Sequence, residues 1–254
     1  MKTDRKRRPL TQLLVSVAGE DEVHAAITGG ADIVDVKNPA EGSLGAAEPW
    51  RIRNIRNVAP HDMPVSVAIG DAPMLPGTMA LAALGAACCK IQYVKVGLYG
   101  TQNALQAETL LRAVCRSVRE SFPATKIIAA GYADAKKHGA VEPHALPALA
   151  VRAQADGCML DTIAKGHAVS LFTLLDQIQL QSFVQECRQL HLISGLAGSL
   201  HVADMPRVLA LGPDIVGVRS AVCGGDRSNG KVQAQAVAEL KAVLTTASQP
   251  ARAL

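Results

Sequence analysis

Asp35 and Lys37 stand two residues apart at the end of an apolar run, Asp32-Ile-Val-Asp-Val-Lys37, which breaks at Asn38-Pro39 into a loop rich in Gly and Ser. In a β-strand alternate side chains share a face, so Ile33, Asp35 and Lys37 point one way while Val34 and Val36 point the other. A carboxylate beside an amine at a strand exit suits acid/base work, or Schiff-base chemistry in which the amine condenses with a carbonyl. Taken alone, the pair reads more readily as an ion pair capping a turn. The arrangement is repeated, however. Ile91-Gln-Tyr-Val-Lys-Val-Gly97 sets Lys95 on the face opposite Val94 and Val96, and Cys158-Met-Leu-Asp-Thr-Ile-Ala-Lys165 closes on Asp161 with Lys165 four residues on. If these strands are parallel neighbours, two Asp and three Lys converge at one end of one sheet.

The elements that must position them follow from apolar periodicity. Strands are expected at Leu13–Val17, Ile33–Val36, Val65–Ile69, Tyr93–Val96, Ile127–Ala130, Cys158–Leu160, Leu192–Ser194 and Ile215–Val218. Helical stretches lie between and after them, at Glu20–Thr28, Trp50–Val58, Pro76–Gly85, Asn103–Ser121, Pro143–Ala153, Val169–Leu190, Val202–Leu211 and Val232–Ala247. Strand–helix alternation implies parallel strands joined by right-handed crossovers. Eight such units in a chain of 254 residues predict one domain over residues 1–254, a closed (β/α)8 TIM barrel, preceded by a basic tail over residues 1–10. An open doubly wound sheet would carry GxGxxG after its first strand. Here that loop is Ala18-Gly-Glu-Asp21, and no Walker A pattern appears.

Barrel active sites sit at the carboxyl ends of the strands, with a phosphate site often built by the loops after strands seven and eight. Those loops are Ser194-Gly-Leu-Ala-Gly-Ser199 and Arg219-Ser-Ala-Val-Cys-Gly-Gly225. Small residues let backbone N–H groups approach an anion, and the helix that follows adds its dipole. By alternation Arg219 shares the inner face with Gly217, where its fork could hold a phosphate. Gly195, Gly198, Ser199, Arg219 and Ser220 are therefore the candidate phosphate ligands, against the plainer reading of Gly turns and a surface Arg.

Composition narrows the class. Hydrophobic residues make up 49% of the chain and aromatics 3%, so a core of Ala, Val, Leu and Ile is expected. No apolar run approaches the roughly 20 residues that span a bilayer. The net charge is +4, and five of the 26 basic residues fall in the first eight positions. That leaves no basic stripe with interleaved aromatics for nucleic acid, and a small anionic substrate fits better. Six cysteines lack CxxC or Cys/His ligand spacing, which argues for a reduced, cytoplasmic protein, and seven scattered His residues give little support to a metal site. The Ala-rich helical exterior is expected to favour contacts between copies of the chain, as a homo-oligomer.

With these residues in place, the chain resembles the (5-formylfuran-3-yl)methyl phosphate synthase family of methanofuran biosynthesis, from about Leu13 to about Glu239. The most specific stretch is Gly29-Gly-Ala-Asp-Ile-Val-Asp-Val-Lys-Asn-Pro-Ala-Glu-Gly-Ser-Leu-Gly-Ala46. Tyr93-Val-Lys-Val-Gly-Leu98, Met159-Leu-Asp-Thr-Ile-Ala-Lys165, Gly195-Leu-Ala-Gly-Ser199 and Gly212-Pro-Asp-Ile-Val-Gly-Val-Arg219 support it. The resemblance implies a TIM barrel that joins two glyceraldehyde 3-phosphate molecules into a furan aldehyde phosphate, releasing phosphate and water. It implies no metal or organic cofactor, Lys37 as the Schiff-base lysine, Asp35 as its companion, and Lys95, Asp161 and Lys165 as further catalytic residues.

Such chemistry needs clustered amines and carboxylates. An enamine on Lys37 would act as the electron sink for an aldol step, while Asp35 or Asp161 moves protons. Lys95 and Lys165 either favour the neutral amine of Lys37 or bind substrate phosphate. The rivals are another Schiff-base sugar-phosphate aldolase or isomerase, and a phosphate-sensing barrel without turnover. The signature around Lys37 separates the first. The cost of burying so many charges without using or pairing them weighs against the second.

Overall fold

A computed structural model describes residues 11–71, 73–165 and 169–246 of the chain; the basic tail expected over residues 1–10 lies outside them. Eight parallel strands close on one another in sequence order. They are β1 (Gln12–Val17), β2 (Ile33–Val36), β3 (Val65–Ala68), β4 (Tyr93–Gly97), β5 (Lys126–Tyr132), β6 (Gly157–Asp161), β7 (Ile193–Leu196) and β8 (Ile215–Val218). The last pairing, β1 with β8, matches Leu14 with Gly217 and seals the (β/α)8 barrel.

Alternation along each strand divides the core in two. Outward residues such as Val15, Val34, Val67, Val94, Ile127 and Val216 belong to one large cluster shared with the helices. Inward residues Leu14, Ile33, Ile128, Met159, Ala197 and Ile215 form a separate plug inside the barrel. Each fully buried Val, Leu or Ile contributes about 1.5–3 kcal/mol, so a slip of one residue in any strand would forfeit several such terms together. Above the plug the inward positions turn polar. Register sets Ser16 opposite Asp35 and Asp35 opposite Ser66, and all three are buried.

The helices that wrap the barrel are α1 (Val23–Thr28), α2 (Pro49–Val58), α3 (Pro76–Ala87), α4 (Ala104–Ser121), α5 (Leu146–Arg152), α6 (Leu171–Leu174), α7 (Gln177–Gln189), α8 (Met205–Leu211) and α9 (Ala234–Thr246). The single helix expected over Val169–Leu190 is instead two, α6 and α7. Leu175 is extended, and Asp176 opens α7 with a capping box, accepting from Gln179 N at 2.8 Å while Gln179 bonds back to its N–H. Local capping outweighs an unbroken apolar stripe here, because each cap satisfies helix-end donors that would otherwise be lost. No helix among the described residues is long and apolar enough to cross a membrane.

Gly157 illustrates how tightly the interior fits. A Cβ there would lie 2.6 Å from Ile193 O and 2.9 Å from Ile128 Cδ1. Gly157→Ala is expected to destabilise the fold by about 1–3 kcal/mol, read as a lowered urea midpoint. An unchanged midpoint would show that β7 yields at no cost.

Candidate active site

The side chains singled out at the strand exits meet at the carboxyl end of the barrel. Lys37, Lys95, Asp161 and Lys165 line one pocket, and Asp35 lies beneath it. β2 delivers Asp35, and Lys37 follows directly on its last residue, by the alternation that buries Val34 and Val36 outward. β4 delivers Lys95, and β6 ends on Asp161. Lys165 reaches back from the following loop.

The three amines are not equivalent. Lys95 Nζ donates to Asp35 Oδ2 at 2.7 Å, and Ser16 Oγ donates to the same oxygen at 2.8 Å. Asp35 is wholly buried, and its Oδ1 has no hydrogen-bond partner among the described residues. Lys165 Nζ donates to Asp161 Oδ1 at 2.7 Å and to Thr162 Oγ1 at 3.1 Å. Lys37 differs: its Nζ has only a long contact, 3.4 Å, to Ser43 O, and among the described residues it forms no ion pair.

Electrostatics follow from these partners. Burial lowers the Lys37 pKa from 10.5 to about 7; the Asp161 and Asp35 carboxylates oppose the shift, while Lys95 and Lys165 add to it. An ammonium in a low-dielectric pocket is costly, and two neighbouring ammonium groups make it costlier still. Asp161 moves the other way. Burial would raise its pKa, but Lys165 and Lys37, with the Thr162 N–H, outweigh burial and hold the carboxyl well below the usual range. At neutral pH the pocket therefore holds an ionised Asp161 beside an amine that is about half unprotonated, whereas a free lysine would be so in only roughly one molecule in three thousand.

The loops after β7 and β8 share the same pocket through Gly198, Ser199 and Ser220. Gly198 and Ser199 both adopt positive φ, +103° and +51°. A Cβ on Gly198 would lie 2.7 Å from Thr162 Cγ2, so that position takes glycine for both conformation and space. Two of the expected phosphate ligands are placed otherwise. Gly195 faces Met159 in the interior, where a Cβ would meet Met159 Cε at 2.7 Å. Arg219 borders the pocket, but its fork is taken: it donates to Glu22 Oε2 at 2.6 Å and Oε1 at 3.1 Å, and to the carbonyls of Ser16, Arg227 and Gly230. The expectation of an open Arg219 fork is therefore corrected, because a buried glutamate 197 residues away in sequence claims it. Sequence reasoning also missed Arg227, which lines the pocket from the β8–α9 loop. The one available signal was that Arg227 is the sole cation between residues 220 and 230.

Comparison with known proteins identifies the family. Residues 13–241 match the family described as 4-HFC-P synthase. The chain belongs to that family. It is 48% identical over 233 residues to the (5-formylfuran-3-yl)methyl phosphate synthase of Methanothermobacter thermautotrophicus, covering 91% of this chain and 98% of that protein. It is likewise 48% identical over 230 residues to the same-named protein of Methanocaldococcus jannaschii, covering 90% and 97%. Among solved structures it resembles 3-hexulose-6-phosphate synthase from Salmonella typhimurium, with TM-score 0.63 and 17% identity over 93% of this chain and 99% of that one. It also resembles phosphoribosyl anthranilate isomerase from Thermus thermophilus, with TM-score 0.61 and 18% identity over 93% and 100%. These last two likenesses establish the barrel alone; the family rests on the sequence matches.

Proposed function

We propose that this member of the family is a (5-formylfuran-3-yl)methyl phosphate synthase working through a Schiff base on Lys37, in the making of a methanofuran-type cofactor. Two molecules of glyceraldehyde 3-phosphate would give the furan aldehyde phosphate, one phosphate and two waters, a net carbon–oxygen lyase reaction. The observation that carries the reading is that Lys37, of the three pocket lysines, is buried with no carboxylate partner among the described residues, and that burial lowers its pKa to about 7. Such an amine is nucleophilic at neutral pH without a separate base.

In this mechanism Lys37 Nζ attacks the aldehyde and expels its oxygen as water. Loss of the α-proton leaves an enamine whose carbon attacks the second aldehyde. Asp161, held ionised by Lys165, would accept and return protons. Lys165 Nζ, 2.7 Å from that carboxylate, is the donor that can replenish it. Lys95, anchored by its buried bond to Asp35, disfavours the protonated form of Lys37, while the Asp35 carboxylate opposes that effect. Gly198, Ser199 and Ser220, bordering the same pocket, are the proposed seat of a substrate phosphate. The similarity of the chain to proteins named for this product supports the product and favours this reaction over another aldolase or isomerase on the barrel.

The test is trapping with cyanoborohydride in the presence of glyceraldehyde 3-phosphate, followed by mass mapping of the adduct. A single adduct on Lys37 is expected, together with furan product in the untrapped reaction. Its initial rate should rise with pH through an inflection near 7 and flatten above pH 8, as neutral amine accumulates. A rate still climbing beyond pH 9 would mean that Lys37 behaves as an ordinary exposed lysine, and an adduct on Lys95 or Lys165 would move the nucleophile.

A further inference from the structure

We propose that Arg227 is the cation that receives the substrate's phosphoryl group, and that Arg219 is the strut holding the loop that carries it. The proposal takes the phosphorylated substrate from the function proposed above and assigns its anion to a residue no motif points to.

The two arginines border the same pocket but are spent differently. Arg219 is buried, bidentate on Glu22, and has further donors on the carbonyls of Ser16, Arg227 and Gly230. Glu22 also accepts from Ala18 N at 2.6 Å, which fixes the β1–α1 loop to the same ion pair. A guanidinium with its charge matched and its donors engaged has little left to offer a phosphate. Its bonds to Arg227 O and Gly230 O instead shape the β8–α9 loop from within.

Arg227 presents the opposite case. Its side chain is half-buried, donates once, to Gly42 O at 3.0 Å, and among the described residues pairs with no carboxylate. Burial works against its charge and Arg219 adds to that, with Asp161 the opposing influence. A partly desolvated guanidinium with donors in hand favours an anion, and its planar fork matches two phosphate oxygens. Gly198, Ser199 and Ser220 border that pocket, as do Lys37 and Lys165, so one bound molecule can touch both the fork and the reactive amine. The bond to Gly42 O ties the fork to the β2–α2 loop, whose Ser43 carbonyl contacts Lys37.

The experiment is calorimetric titration of the full chain with inorganic phosphate, comparing wild type with Arg227→Ala and Arg227→Gln. The Gln variant keeps an N–H donor for Gly42 O while removing the charge, so it separates phosphate binding from loop anchoring. Both variants should bind phosphate at least about tenfold more weakly than wild type, the loss expected when a charge-assisted bidentate contact is removed. Trapping at Lys37 is followed separately with glyceraldehyde, which carries no phosphate. Loss of phosphate affinity without any wild-type adduct would leave this assignment standing and remove the Schiff base. Wild-type affinity in Arg227→Gln, or a wild type that binds no phosphate, overturns the assignment whatever the trapping shows.

Discussion

Replacing Lys37 with Ala or Arg is expected to lower furan formation by at least about 100-fold, because each removes an amine able to condense with an aldehyde. The Arg variant is the more telling. It keeps a positive charge and comparable length, but guanidinium stays protonated and forms no Schiff base. Near-normal turnover in Lys37→Arg would reduce Lys37 to a source of charge and move the covalent step to Lys95 or Lys165. Loss of activity should not come from unfolding, and Lys37→Met makes that point with a sign. The folded protein holds this amine at about 7 and the unfolded chain near 10.5, so between those values the unfolded state binds more protons. Wild-type stability should accordingly rise with pH across that window, and the penalty for the buried charge is present in full below pH 7. Lys37→Met removes the penalty, so it should gain on the order of a few kcal/mol over wild type below pH 7 and lose that advantage towards pH 10.5. Urea midpoints measured at pH 6 and pH 10 check both halves, and an unchanged difference would contradict the buried-amine account.

Lys95→Met should act in the opposite direction on stability. Asp35 is fully buried; among the described residues its Oδ1 has no hydrogen-bond partner, and Lys95 is the only cation paired with its other oxygen. Taking away that ammonium leaves a buried carboxylate with the Ser16 hydroxyl as its remaining support, a change that typically costs about 3–5 kcal/mol. The double variant Lys95→Met/Asp35→Asn should recover much of the loss, since an amide carries no charge to desolvate. Furan formation should fall in Lys95→Met, because the group that disfavours protonated Lys37 is gone while Asp35, which favours it, remains. Equal urea midpoints for Lys95→Met and wild type would show that Asp35 finds other compensation, and the pair would then lose its structural role.

The same polar layer shows why function and stability pull against each other here. Leu14, Ile33, Ile128, Met159 and Ile215 fill the lower barrel with aliphatic volume, while the layer above them holds Ser16, Asp35, Ser66 and Lys95. An all-aliphatic upper layer would bury more apolar area and no charge. Two ion pairs and one unpaired amine replace that gain with a pocket able to move protons, a stability cost commonly found at catalytic sites.

Much of this was legible in the sequence because it is local. Ile33–Val36 and Ile215–Val218 are strands with the bounds read from their apolar runs, and period-two alternation alone placed Asp35, Lys37, Lys95 and Asp161 on inner faces. Eight such runs separated by helical stretches implied the closed barrel, since each strand's pattern is written in its own neighbours. Where local chemistry was overlooked, as in the Asp176–Gln179 capping box, one helix was expected where two exist. What only the tertiary structure decided is which charge meets which. Lys95 and Asp35 are 60 residues apart, and Arg219 and Glu22 are 197 apart. The first distance collapses when β3 pairs with both β2 and β4, the second when β1 pairs with β8 and the barrel closes. The reach of each long side chain then determines that Lys95, Lys165 and Arg219 are matched by carboxylates and Lys37 is not, because partner choice depends on positions in space that no single strand encodes.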